Sequence, residues 1–305
     1  MKKFFLSALI LLASVPCGLA QGTDALPFTR IERNPVVSSL AGAGSAADAA
    51  AAYSAFSNAS ILPLMKGRMD AAVSYQSWTP SPSRHFQGGA AFKVTPRIAL
   101  SLGYAQQLGT AFDMFDQDGQ ATTFTPKDHL AAVGVGIGLG ERFGLGVNAR
   151  YAFQQLDADH HVSGFSGDVF LAFQVQDNLR LTAGLSTLGT QVGSQIGRKF
   201  DQPGSVKAAA GWTLRFADSH ALDLLADADY YFSEKYGVSA GIQYAWNDMV
   251  FLRGGYRLAS KDCVIPSHAG LGAGFKFSGF HVDAGYLMAS SVLGNTFSVG
   301  LGYTF

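Results

Sequence analysis

The stretch Phe297-Ser298-Val299-Gly300-Leu301-Gly302-Tyr303-Thr304-Phe305 alternates a large apolar residue with a small one at every step. Successive side chains of an extended strand point to opposite faces, so one face here is bulky and apolar and the other nearly bare. A bulky face of that kind needs lipid or a protein core against it. The same pattern sets Val133, Val135, Ile137 and Leu139 opposite Gly134, Gly136 and Gly138. It sets Phe143, Leu145, Val147, Tyr151 and Phe153 opposite Gly144, Gly146, Asn148 and Arg150, and Val206, Ala208, Trp212, Leu214 and Phe216 opposite Lys207, Gly211, Thr213 and Arg215.

Marking each such segment predicts strands over 67–78, 85–94, 97–107, 128–139, 143–154, 164–176, 179–187, 205–216, 220–231, 236–246, 250–258, 267–277, 279–289 and 295–305. Fourteen is an even number, and segments of about ten alternating residues are long enough to cross a bilayer as tilted strands. Short connections at Thr95-Pro96, Gly140 to Arg142, Asp177-Asn178, Ala217 to Ser219, Asn247 to Met249 and Ser278 alternate with longer ones at 108–127, 155–163, 188–204 and 259–266. Short turns on one side and long loops on the other are the outer-membrane pattern. A soluble sandwich would need polar outward positions, and these are Leu, Val, Phe, Tyr and Ala. The expected fold is therefore all-β, a 14-stranded antiparallel transmembrane β-barrel in the outer membrane of a Gram-negative bacterium.

Composition agrees. Among 305 residues, 22 basic and 22 acidic side chains cancel, and charged residues make up 14% against about 25% in soluble domains. That balance excludes a nucleic-acid surface and a disordered chain. Residues 1–20 read as a signal peptide: Lys2 and Lys3, an apolar run from Phe4 to Val15, then Gly18-Leu19-Ala20. Its removal, with Cys17, leaves Cys263 as the lone thiol, so no internal disulfide is expected.

Registers follow from the cost of charge in lipid. A two-residue turn at Asn247-Asp248 would turn Arg253 and Arg257 outward, at about 2 to 4 kcal/mol for an arginine near the midplane. A three-residue turn places both inside. The inner face then carries a charge network of Lys207, Arg215, Asp223, Asp227, Asp229, Arg253 and Arg257, together with Lys93, Arg150, Asp168, Lys276 and Asp283. Pairing Phe216 with His220 sets Lys207 opposite Asp229 and Arg215 diagonal to Asp223. Such charges either brace the wall or line a solute path.

Fourteen strands enclose more space than Gly and Ser side chains can fill. The Ala/Gly-rich segment 21–66, with Gly42, Gly44, Asp48 and Asn58, is the candidate plug or hatch, and a free periplasmic arm is the alternative. The barrel would occupy 67–305. Phe297, Val299, Leu301, Tyr303 and Phe305 form a candidate signal for the outer-membrane assembly machinery. Phe112, Met114 and Phe115 in the loop 108–127 suit a protein partner, lipopolysaccharide or simple loop packing.

Chemical motifs are weak. The glycines of 134–140 fall on a strand face, not in a phosphate loop. Asp116, Asp118 and Gly119 lack the remaining calcium ligands, and Asp157, Asp159, His160 and His161 lack a complementary metal set. Gly164-Phe165-Ser166-Gly167-Asp168 breaks the nucleophile-elbow pattern at its last position. No catalytic residue, metal or cofactor is expected.

Gly42-Ala43-Gly44, Asp48 and Asn58-Ala59 resemble the hatch region of the FadL-type barrels, with Asn58-Ala59-Ser60 where that family usually has Asn-Pro-Ala. Leu181-Thr182-Ala183-Gly184-Leu185, Leu188-Gly189, Ala226-Asp227, Phe251-Leu252-Arg253-Gly254-Gly255-Tyr256, Gly270-Leu271-Gly272-Ala273-Gly274, Asp283-Ala284-Gly285-Tyr286 and Phe297-Ser298 follow in an order that resembles the PorV/PorQ family of Bacteroidetes, a branch of the same barrels. That resemblance implies a non-enzymatic scaffold or shuttle in a multi-subunit protein secretion complex of type IX. The alternative it leaves is a FadL-type channel for hydrophobic small molecules. A polar, filled lumen favours the scaffold, an apolar internal pocket the channel.

Overall fold

The computed structural model describes residues 24–79, 83–115, 121–155, 157, 160–193, 199–289 and 294–305. The expected signal peptide lies outside them, as do Asp116, Asp118, Gly119 and Asp159. Fourteen strands close into one antiparallel barrel. They are β1 Met69–Thr79, β2 Arg84–Lys93, β3 Ile98–Leu108, β4 Lys127–Gly138, β5 Phe143–Gln155, β6 His161–Gln176 and β7 Leu179–Gly189. The second half holds β8 Ser205–Phe216, β9 His220–Tyr231, β10 Tyr236–Trp246, β11 Val250–Ala259, β12 His268–Phe277, β13 Phe280–Ala289 and β14 Asn295–Thr304.

Closure joins β1 to β14, with Ser74 opposite Gly300 and Val73 opposite Leu301, so no edge strand is left to pair elsewhere. The period-two faces fall as the alternation requires. Val73, Leu102, Val133, Leu252, Leu271 and Leu301 stand outward and are 51% to 59% exposed, which in water would be an unpaired apolar band and in a bilayer is the lipid contact. Folded protein is accordingly expected to run anomalously on unheated SDS gels and to shift on boiling. Unchanged migration together with solubility in the absence of detergent would contradict the barrel.

Three details refine the sequence reading. The turn before β13 is Ser278-Gly279, both at positive φ of 48° and 86°, the two-residue turn whose twist matches antiparallel strands. Asn247 to Met249 is a three-residue turn, and Trp246 pairs with Val250, which turns Arg253 and Arg257 inward. The long connections carry small hairpins of their own, Phe112–Phe115 with Ala121–Phe124 and Val192–Gly193 with Lys199–Phe200.

The wall ladder is irregular between β6 and β7. Gly167 pairs with Leu188 and Val169 with Leu185, so Asp168 faces both Ser186 and Thr187, a β-bulge. Thr187 takes a φ of 56°, which is costly for a β-branched residue. Asp168 offsets that cost by accepting hydrogen bonds from the Thr187 amide at 2.7 Å and the Ser186 hydroxyl at 3.1 Å.

Candidate functional site

Residues 24–65 run inside the barrel as short turns: 3₁₀ segments Pro27–Arg30, Asp48–Phe56 and Ala59–Leu64, and one turn of α-helix, Pro35–Ser39. The bare inner faces are where this backbone lies. A Cβ on Gly144 or Gly146 would strike the backbone of Ser60, one on Gly255 that of Leu40, and one on Gly270 the carbonyls of Ser38 and Ser39. Close approach at those positions requires glycine.

Polar side chains of the wall then take up carbonyls and amides of the segment. Ser239 donates to the Ala41 carbonyl at 2.8 Å, Asn148 to Ser54 at 3.1 Å and the Lys93 ammonium to Met65 at 2.5 Å. Asp70 accepts from the Ala52 amide at 2.9 Å. Irregular backbone at membrane depth is tolerated only when satisfied in this way. Of the hatch residues marked in the sequence, Asn58 caps Ser60 at 3.0 Å and reaches the Ser45 carbonyl at 2.9 Å. Asp48 pairs with Arg180 on β7. Gly42 lies at φ +90°, and Gly44 packs on Val37.

The lumen charges form two clusters. In one, Asp229 binds Arg257 at 3.1 Å and Arg30 at 3.2 Å, with Lys207 at 4.0 Å and also 3.1 Å from Asp227. Arg30 further donates to Ser186 at 2.9 Å and Ser205 at 3.3 Å, which connects it to the bulge, where Arg150 pairs with Asp168. In the other, Thr213 and Gln243 each donate to Asp223 at 2.6 Å, Arg253 donates to Gln243 at 2.5 Å and to Asp283 at 2.6 Å, and His281 bridges Asp283 and Asp70. Lys207 does face Asp229 across the ladder.

Arg215 departs from expectation. Its parity is inward, but it sits at the end of β8 by the turn, half exposed, and pairs with Asp248 at 3.3 Å instead of Asp223. At that rim water and a nearby turn carboxylate compete successfully with a partner deeper in the wall.

A cavity of about 140 Å³ remains between residues 29–57 and the half of the wall toward the long loops, where Trp78, Leu130, Phe170, Tyr231 and Leu287 reach it. Tyr53, Phe56 and Val37 line it from the segment. Sequence reasoning missed Arg30, Glu32 and Arg33, which contribute its charged side; the run Arg30-Ile31-Glu32-Arg33, dense in charge within an otherwise apolar segment, was the available signal. Burial raises the Glu32 carboxyl above its usual range and pulls Arg33 down to about 10, which leaves Arg33 protonated at neutral pH. On the lipid side of the same wall lies a groove of about 640 Å³ among Gly88, Ala90, Gly103, Ala131 and Phe165. Behind it, Gly103 backs onto the Phe56 ring and Gly89 onto Ala52 and Tyr53.

Of the candidate assembly residues, Phe297 and Leu301 face outward, Val299 and Tyr303 are partly covered, and Phe305 is exposed with its ring 4.3 Å from that of Tyr303. Phe112 packs edge-on against Phe124 at 5.6 Å, Met114 is partly buried, and the Phe115 side chain lies outside the described residues.

These features define a class: a transmembrane barrel of fourteen strands with an N-terminal segment folded into its lumen. No protein-family model and no curated protein matches the chain. Among solved structures it is similar to the CymD monoaromatic hydrocarbon channel, with TM-score 0.63 and 13% identity over 93% of this chain and 99% of that one. It is similar to the toluene transporter TodX of Pseudomonas putida, with TM-score 0.57 and 11% identity over 86% and 97% of the two chains. A FadL homologue of Pseudomonas aeruginosa follows at TM-score 0.54 and 12% identity over 90% and 98%. At such identities the likeness establishes the fold alone, a closed fourteen-strand barrel. It does not reach the PorV/PorQ branch, whose secretion role remains an expectation of the sequence.

Proposed function

We propose that this chain is an outer-membrane channel for small, largely apolar molecules in a Gram-negative bacterium, and not the secretion scaffold that the PorV/PorQ resemblance implies. The observation that carries the proposal is the cavity. At about 140 Å³ it is close to the roughly 150 Å³ of a protein cavity that takes up benzene. The charges, which in the sequence favoured a scaffold, are largely paired: four of the five cations that line the cavity have carboxylate partners, and Leu130, Phe170 and Leu287 give it an apolar side. The solved structures of like fold include hydrocarbon channels, which supports the same reading.

A solute in the cavity is separated from lipid by the wall at Gly89 and Gly103, behind the rings of Tyr53 and Phe56. An apolar solute gains free energy by moving into lipid instead of water, and a route there would run past those two rings. The test is uptake of labelled toluene by cells with and without the protein. Wild-type protein is expected to raise uptake. Leu130→Trp, which fills the cavity at an overpacking cost of about 1 to 3 kcal/mol, is expected to return it to the background level while the heat-shifted gel band persists. Uptake unaffected by the substitution would remove the cavity from the path.

A further inference from the structure

The polar side of the cavity is built of unmet donors. Among the described residues, the Nε of Arg33, Arg150 and Arg257, the Nδ2 of Asn34 and the Nε1 of Trp78 are buried N–H donors with no hydrogen-bond partner, and all five residues line the cavity. Gln76 Oε1 is the one unmet side-chain acceptor among the same lining residues. Buried polar groups in native proteins are nearly always paired, so a set this one-sided describes what is missing from it, namely a group rich in acceptors.

Charge points the same way. Arg30, Arg33, Arg150, Lys207 and Arg257 line the cavity together with Glu32 and Asp229, and Asp168 and Asp227 stand behind Arg150 and Lys207. Four of the five cations have acidic partners. Arg33 differs: it is 3% exposed, its terminal nitrogens donate to the carbonyls of Ile31 at 3.2 Å and Phe28 at 3.0 Å, and no ion pair among the described residues includes it. Glu32 and Asp128 act on it through charge but make no ion pair with it, so its hydrogen bonds go to backbone carbonyls, and an anion that met the guanidinium directly would complete it.

We propose that the cavity selects small organic anions: single-ring or short-alkyl carboxylates whose oxygens meet Arg33 and Trp78 and whose apolar body lies against the Leu130 and Phe170 side. This rests on the channel reading and names the class of its solute. The carboxylate takes charge-assisted hydrogen bonds, and the cavity volume of about 140 Å³ limits the body to about one aromatic ring.

The test is equilibrium dialysis of the full chain in detergent against labelled benzoate, benzamide and toluene. Benzoate is expected to bind about tenfold more tightly than its isostere benzamide, the weight of one hydrogen bond to a charged group. Arg33→Gln is expected to remove that preference, Arg33→Lys to restore part of it, and neither to change toluene binding. Toluene binding with equal affinities for benzoate and benzamide, or an Arg33→Gln variant that keeps the preference, would overturn the anion site and leave the channel reading standing. Binding of none of the three would overturn both. If Arg33→Gln does not assemble, the benzoate-to-benzamide ratio of the wild-type protein decides alone.

Discussion

A variant lacking residues 24–65 is expected to conduct ions freely in planar bilayers where the full chain is nearly silent. The inner wall opposite this segment is largely Gly, Ser and Ala, and a fourteen-strand barrel lined that way cannot close itself. With the segment present, Gly144, Gly146, Gly255 and Gly270 are covered by backbone, and the described lumen holds a cavity of about 140 Å³. The wall itself keeps its ladder, since every strand pairs with its neighbours and not with the segment. Equal conductance of the two proteins, both showing the heat-shifted band, would mean that something else closes the barrel. A point substitution tests the same contact more gently. Gly144→Val puts a side chain into the Ser60 backbone and is expected to raise conductance part of the way.

The second large effect concerns Asp229. Its carboxylate, 3% exposed as a residue, faces Arg30, Arg257 and Lys207 at 3.2, 3.1 and 4.0 Å. Asp229→Ala leaves those cations facing one another without it, and removal of one partner from a buried ion pair typically costs about 3 to 5 kcal/mol. The loss is expected in urea unfolding of the barrel from lipid vesicles. Arg215→Ala is the matched control: that pair with Asp248 is solvent-exposed, so its removal is expected to cost about 0 to 1 kcal/mol. Equal effects of the two substitutions would show that the inner cluster does not hold the structure.

What was legible in the sequence follows from which interactions are local. Strand faces repeat every second residue, so the outward row of Phe297 and Leu301 and the bare inward row of Ser298, Gly300 and Gly302 are visible without knowing any partner. Hairpin registers come next, because a short turn fixes both strands; that is why Lys207 could be placed opposite Asp229. Arg215 shows the limit. Parity gave its face, but height above the turn decides whether an inward side chain meets the lumen or the rim, and Asp248 waits at the rim.

Contacts between the N-terminal segment and the wall lie further from local pattern. Arg30 reaches Ser186, Ser205 and Asp229 across separations of 156, 175 and 199 residues, and no periodicity encodes such pairs. The bulge at Asp168 was equally hidden, since its strained residue is Thr187 where a glycine would have drawn attention. The Gly rows, read as an emptiness to be filled, carried the information in another form: Gly89, Gly136, Gly144, Gly146, Gly255 and Gly270 mark places where backbone of the N-terminal segment comes close.

A crystal structure of the protein soaked with bromobenzene examines the channel reading most directly, because bromine marks the solute by its anomalous scattering. The expected result is a peak inside the barrel, among Leu130, Phe170 and Tyr231, with the cavity walls as described. Bromine found only on the lipid-facing groove beside Ala131 and Phe165, with ordered water in the cavity, would contradict it.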